Sequence, residues 1–261
     1  MPTWALHTSL DLDACNVHLT ALENAGLLGL VEEDGATTAY FPDRVAGLPI
    51  EGRWEPVPDT DWNAAWRASI APVVVADVAV YPPWLPAPAV AVALEIEPAQ
   101  AFGTGHHETT AGCLAALQEV ALEGCRVLDV GTGTGVLALA ALRLGARSAV
   151  GIDVDPIAVE AARHNAAANG LPLEVRQGSM EAVADGPFDV VLANVDTDTI
   201  TAIAGDLAGA IAHDGVLVAS GVSLERLPTA LDALAGAGIR AATRSGREWA
   251  VLIGHHRDTA G

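Results

Sequence analysis

Arg126-Val127-Leu128-Asp129-Val130-Gly131-Thr132-Gly133-Thr134-Gly135 is the stretch that decides the fold. Its opening, Arg126-Val127-Leu128, is short, apolar and β-prone, as a buried parallel strand requires. Val136 to Leu144 then repeats Val, Leu and Ala at helical spacing. A glycine-rich turn between a strand and a helix lets the backbone approach a ligand closely, with the N–H groups of the helix start directed at it. About 20 residues on, Ile152-Asp153-Val154-Asp155 ends a second strand, with acids placed to accept ribose hydroxyls. The pattern predicts a nucleoside-cofactor site.

The spacing narrows the choice of nucleoside. A dinucleotide fingerprint reads G-x-G-x-x-G, which would need glycine at 136, where the chain has Val136. Glycines at 131, 133 and 135 behind Asp129 form instead a G-x-G-x-G string. That string resembles motif I of S-adenosylmethionine-dependent methyltransferases.

Downstream, strands and helices alternate with short connections. Strands are predicted at Ser148 to Asp155, Leu173 to Gln177, Phe188 to Ala193 and Val216 to Ser220, with two last β runs near Ile239 and at Trp249 to Ile253. Helices are predicted from Pro156 to about Asn169, after Asp196 to about Ala212, and from Leu224 to about Ala237. Repeated βα units make a doubly wound sheet whose ligands sit beyond the carboxyl ends of the strands. The motifs at 131–135, 153, 179–181 and 194 all fall on that edge.

Upstream, Thr3 to Leu10 reads as a strand, and Asp11 or Asp13 could cap a helix reaching about Gly26. Leu27 to Glu32 and Thr37 to Phe41 flank a hairpin turn at Glu33-Asp34-Gly35. This β-α-β-β unit, residues 1–54, reads as a small α+β recognition domain. Residues 42 to 58, rich in Pro and Gly, read as a connection. A linker helix over 55–69 carries Trp62 and Trp66 on one face as a packing seam. Residues 70–261 form the catalytic domain, opening with edge strands around the prolines at 82, 83, 86 and 88.

With 51% hydrophobic residues there is ample material for a core, and 13 basic against 33 acidic residues leave a net charge of −20. Such a surface repels nucleic-acid phosphates and anionic lipid and attracts basic proteins. All 13 basic residues are arginine, which reads as the imprint of a GC-rich genome. Cys15, Cys113 and Cys125 are odd in number and lack C-x-x-C spacing, which excludes a disulfide framework and a zinc site. There is no signal-like N-terminus and no apolar run of about 18 residues, so a soluble cytoplasmic protein is expected; a monomer is expected as well.

Residues 97 to 110, E-P-A-Q-A-F-G-T-G-H-H-E-T-T, form the second informative stretch. Gly103 and Gly105 again suggest backbone brought close to a ligand, and Thr109-Thr110 opens an apolar helical pattern. Adjacent His106 and His107 cannot share a helix face as H-E-x-x-H ligands do, so no metal is expected.

Together with V-L-D-V-G-T-G-T-G-V-L-A-L-A-A-L-R-L-G-A (127–146), G-I-D-V-D-P-I-A-V (151–159) and F-D-V-V-L-A-N-V (188–195), the F-G-T-G-x-H-x-T-T loop resembles the ribosomal protein L11 methyltransferase family. Motif I is shared by many methyltransferases, and the loop is far more specific. The resemblance implies a mostly parallel seven-stranded class I methyltransferase sheet, Rossmann-like, behind a small N-terminal α+β domain. It further implies methyl transfer from S-adenosylmethionine to lysine ε-amines and the N-terminal α-amine of that basic ribosomal protein. Carried over by position, Thr110, Gly131, Asp153 and Asn194 would contact the cofactor, with Gly133 and Gly135 completing motif I. Phe102, Gly103, Thr104 and His106 would belong to a loop closing over it. The loop carries His106 and Glu108 where many members have Thr and Pro.

A lysine ammonium, with a reference pKa near 10.4, must lose a proton before it can attack a methyl group. Burial in an apolar mouth promotes that loss, and Asn194 at a strand end can offer its carbonyl to orient the amine. Asp153 should hold the ribose, Glu181 or the backbone around Met180 should read the adenine, and Ser179 belongs with them to the cofactor-binding set. Two rivals are a nicotinamide oxidoreductase, which lacks its glycine at 136, and a methyltransferase acting on RNA or a small molecule, which the acidic charge disfavours. A non-catalytic binding module would leave the motif set without use.

Overall fold

The structure, a computed structural model, describes residues 3–18, 21–22, 25–33, 35–57, 70–97, 107–183 and 186–256. The chain divides into two compact units, Met1–Ile70 and Ala71–Gly261.

In the first unit β1 (Thr3–Thr8), α1 (Leu12–Asn16), β2 (Gly29–Glu33), β3 (Ala36–Phe41) and β4 (Arg53–Val57) build a four-stranded antiparallel sheet of order β2-β3-β1-β4. Asp11 starts the helix, its carboxylate accepting the Ala14 N–H at 2.8 Å. Leu6, Cys15, Leu22, Ala39, Phe41 and Ile50 form the core. The span 42–58 is not all connection, because Arg53–Val57 pairs with β1 as an edge strand. An edge tolerates the missing N–H of Pro56, and Trp54 is drawn in by Phe41, ring centroids 5.4 Å apart. The Trp62–Trp66 helix and most of the proposed linker lie outside the described residues.

The second unit opens with β5 (Val73–Val75), β6 (Val78–Tyr81) and β7 (Val92–Glu95), a small three-stranded sheet. Helix α2 (Glu108–Leu117) leads into β8 (Arg126–Val130), α3 (Val136–Arg143), β9 (Ser148–Asp153), α4 (Pro156–Ala168) and β10 (Leu173–Gln177). A 3-10 turn (Met180–Ala182) precedes β11 (Phe188–Asn194), α5 (Thr197–Ala210), β12 (Ile211–Ser223), α6 (Leu227–Gly236), β13 (Ile239–Ser245) and β14 (Trp249–His256).

The main sheet runs β10-β9-β8-β11-β12-β14-β13. Five strands from β10 to β12 are parallel, and β14 is antiparallel to both neighbours. This is the doubly wound, mostly parallel seven-stranded sheet that the motifs predict. Alternation along each strand sends residues to two covered faces. Val127, Val190, Leu192 and Val218 pack with α2 and α3 on one face, and Leu128, Val191, Ala193 and Leu217 with α5 and α6 on the other. Helix α3 is buried from Val136 to Ala141, so it can be apolar all round.

Helix starts are set by local chemistry. Asp155 accepts the Ile157 N–H at 2.8 Å with Pro156 in the first turn, and Asp196 accepts the Thr199 N–H at 2.9 Å. Strand β12 begins at Ile211, inside the span expected to be helix, because Phe188 of β11 pairs with Ile211 and pulls that segment into the sheet. Among the described residues, no helix is long and apolar enough to cross a membrane.

Candidate active site

Strand order reverses between β8 and β11, and a crevice opens outside the carboxyl ends of strands at such a switch point. A cavity of about 520 Å³ lies there, lined by Gly131, Gly133, Asp153, Ser179 and Asn194 of the residues predicted from sequence. Val130, Ile152, Ala158 and Ile203 supply apolar wall. That volume suits a nucleoside-sized ligand.

The glycine turn at the tip of β8 is held by its neighbour strand. Thr132 donates its N–H to the Ile152 carbonyl at 3.0 Å, Gly133 to Asp153 Oδ2 at 3.0 Å, and Gly135 to the Thr132 carbonyl at 2.8 Å. These three turn N–H groups are taken by the turn itself and by the neighbouring strand tip. Gly131 has φ +66, and a Cβ there would overlap Cγ1 of Val195. Glycine at 131 is thus required both by conformation and by the side chain opposite.

Asp153 accepts the Asp155 N–H on its other oxygen at 3.0 Å. Each carboxylate oxygen still has a lone pair for a further donor. Asp155 and Asp196 also line the cavity. Asp196 is held below the usual carboxylate range by the Thr199 N–H and hydroxyl, so it stays ionised. The described lining contains no arginine.

On β11, alternation places Asn194 on the α2 face. There it donates from Nδ2 to Thr110 Oγ1 at 3.2 Å, while its own buried Oδ1 has no partner among the described residues. An orphaned buried carbonyl costs roughly 1–3 kcal/mol unless something supplies a donor. Thr110 is fully buried behind Asn194 and does not line the cavity. Two residues that sequence reasoning did not assign do so, His107 and Trp249, their rings meeting edge to face with centroids 5.3 Å apart. His107 also caps α2, its Nδ1 accepting the Thr109 N–H at 3.4 Å. Nothing along the chain links β14 to residue 107, so only the sheet order brings them together.

Behind the turn, Asp129 is buried and accepts the Thr132 hydroxyl at 2.7 Å. Burial pushes its pKa up to about 7, the Thr132 hydroxyl and the Ala138 N–H oppose the shift, and the Asp153 charge adds to it. The buried Cys113 thiol is raised too, by burial and then by the Asp129 charge.

Other sequence candidates fall elsewhere. Gly135 is the left-handed cap of α3, packed against Leu173 and Ala162. Met180 and Glu181 border a neighbouring cavity, and Glu181 spends Oε1 on the Ser179 N–H at 2.9 Å. Phe102, Gly103, Thr104 and His106 lie outside the described residues. Among the described residues no group of three or more His, Cys, Asp or Glu is placed to hold a metal.

The chemistry of the cavity separates the two nucleoside classes. A dinucleotide pyrophosphate needs N–H groups or cations, but three turn amides are occupied and the described lining offers carboxyl groups and no arginine. A positively charged nucleoside without phosphate fits: acids for hydroxyls and cationic groups, apolar wall for a base, and an Asn194 carbonyl without a partner among the described residues.

Residues 22–257 match the family ribosomal protein L11 methyltransferase (PrmA). The chain is 39% identical over 251 residues to the ribosomal protein L11 methyltransferase of Thermus thermophilus, covering 95% of this chain and 98% of that one. It is 38% identical over 266 residues to that of Deinococcus radiodurans, at 95% and 97%. The crystal structure of a ribosomal protein L11 methylase from Lactobacillus delbrueckii subsp. bulgaricus superposes with a TM-score of 0.67 at 27% identity, over 72% of this chain and 100% of the other. Sequence, sheet order and cavity chemistry agree: the chain belongs to the ribosomal protein L11 methyltransferase family.

Proposed function

We propose that the protein methylates ribosomal protein L11, on lysine ε-amines and the N-terminal α-amine, with S-adenosylmethionine as donor. The supporting observation is the Asn194 carbonyl, without a partner among the described residues, in a cavity whose acids suit a cation and whose glycine turn holds three of its N–H groups away from any phosphate.

S-adenosylmethionine supplies an electrophilic methyl group on a sulfonium. Asp153 would accept the ribose hydroxyls through its remaining lone pairs, and Ser179 would face the base. Gly131 and Gly133, which line the cavity, would allow the nucleoside close to the backbone. Asn194 Oδ1 would accept one N–H of the incoming amine and so aim its lone pair. Thr110 fixes the amide from behind. Positioning of this kind supplies effective concentration rather than bond chemistry. Burial between apolar walls favours the neutral amine over the ammonium.

The segment Phe102, Gly103, Thr104, His106 would close over the donor. Residues 1–54 would recognise the substrate, 55–69 link, and 70–261 carry the chemistry. The net charge of −20 suits a basic protein acceptor and disfavours nucleic acid. The enzyme would act in the cytoplasm as a monomer.

Incubation with methyl-labelled donor and purified L11 tests this. Label should appear on L11 amines and vanish when S-adenosylhomocysteine is added in excess. Label confined to RNA or to small molecules in a lysate would overturn the acceptor assignment.

A further inference from the structure

Two carboxylates of α2 and the segment after it hold the β13–β14 hairpin. Glu119 pairs with Arg244 through both guanidinium arms, at 2.5 and 2.6 Å. That pair is exposed and contributes little. At the other end Glu108, the first residue of α2, accepts the Arg247 N–H on Oε1 and the Glu248 N–H on Oε2, the latter at 3.4 Å. The turn between them is closed by the Gly246 N–H on the Trp249 carbonyl at 2.8 Å. A Cβ at 246 would overlap Oε1 of Glu108, so the turn lacks a side chain where the carboxylate enters.

The residue that follows this turn is Trp249, and the residue that precedes Glu108 is His107. Their rings meet at 5.3 Å, and both line the cavity that holds Asn194. One carboxylate therefore fixes the distance between two walls contributed by remote parts of the chain. A charge-assisted bond to backbone N–H groups is stronger than a neutral one, which suits a tie that must hold a turn in register.

We propose that Glu108 is a positioning residue for the acceptor side of this site: by holding the 246–248 turn it sets Trp249 opposite His107 and so fixes the mouth through which a substrate amine reaches Asn194. The proposal rests on the methyltransferase function given above.

The test uses the full chain labelled with 5-fluorotryptophan, the Trp249 resonance being assigned with Trp249→Phe. Glu108→Ala and Gly246→Ala should each shift or broaden that resonance and speed amide exchange at 247 and 248. Each should raise the KM for L11 on the order of 10- to 100-fold, the scale of a small misplacement at a site. Affinity for S-adenosylhomocysteine should stay within about 2-fold, a change of under about 0.5 kcal/mol. Glu108→Gln keeps a carbonyl for the Arg247 N–H and should restore most of the acceptor KM. The double variant should be no worse than either single one, since both break the same tie.

An unmoved Trp249 resonance in Glu108→Ala would overturn the proposal, as would a moved resonance with an unchanged acceptor KM. Parallel loss of S-adenosylhomocysteine affinity would also overturn it. A wild-type protein inactive on L11 would sink the function instead, and the fluorine resonance would still decide whether Glu108 places Trp249.

Discussion

Gly133 donates its N–H to Asp153 Oδ2 at 3.0 Å, so the tip of the second strand holds the glycine turn of the first. The acid expected to face a ribose is also a structural tie for the turn beside it. Substitutions at 153 therefore carry two effects that can be measured apart.

Asp153→Ala should weaken binding of S-adenosylhomocysteine by about 2 kcal/mol or more, the scale of lost charge-assisted hydrogen bonds. Asp153→Asn keeps one oxygen for the Gly133 N–H and should retain more thermal stability than Ala while losing nearly as much affinity. Calorimetry beside thermal unfolding separates the two. Undiminished affinity in Asp153→Ala would remove Asp153 from the cofactor site.

Gly131→Ala should destabilise the second unit. Its φ of +66 costs an L-residue about 1–2 kcal/mol, and the new Cβ must displace Val195. A loss of roughly 2 kcal/mol or more in urea unfolding is expected. Because Val195 lines the cavity, ligand affinity should fall with it. Wild-type stability in this variant would mean that the turn adopts another conformation.

Asp129 gives a pH dependence of stability with a definite sign. Its pKa is raised to about 7 in the fold, from an ordinary value of 3.8, mainly by burial. Between those pH values the native state binds the proton that the unfolded chain has released, so this group's contribution falls as pH rises from about 4 to 7. Asp129→Asn removes the titration and keeps an acceptor for the Thr132 hydroxyl. The difference between variant and wild type should grow in the variant's favour across that window, by up to roughly 4 kcal/mol at 1.36 kcal/mol per pH unit. The carboxylates of Asp196 and Glu181, held low by hydrogen bonds, act oppositely in both proteins and cancel in the difference. Parallel stability curves would show that Asp129 titrates normally.

Much of this architecture can be read along the chain because the second unit is punctuated by glycine and built from uniform runs. Arg126–Val130 and Phe188–Asn194 are strands with apolar runs at Val127-Leu128 and Val190 to Ala193, and Pro156 and Asp196 mark helix starts by chemistry that needs no partner. What could not be read depends on pairing between distant segments. Arg53–Val57 carries a proline and becomes a strand only because β1 offers an open edge. The fate of the turn amides depends on Ile152 and Asp153 lying alongside. Trp249 reaches the site only through the reversed strand order β12-β14-β13. Local sequence specifies which residues can bond, and the sheet order decides which ones do.

Asn194 offers the sharpest test of the acceptor side. Its Nδ2 is taken by Thr110 and its buried Oδ1 has no partner among the described residues, so the side chain cannot turn without losing a bond. Asn194→Ala should lower kcat on the order of 10- to 100-fold through lost orientation, with a smaller change in S-adenosylhomocysteine affinity. Asn194→Asp should behave differently. A carboxylate beside the amine favours the ammonium form, so more alkaline solution is needed to free the lone pair, and the pH at which kcat reaches half its plateau should move upward. Steady-state rates across pH, set beside calorimetry, read both effects. An alanine variant that loses affinity but keeps its turnover would place Asn194 with the donor and leave the amine to be held by another group.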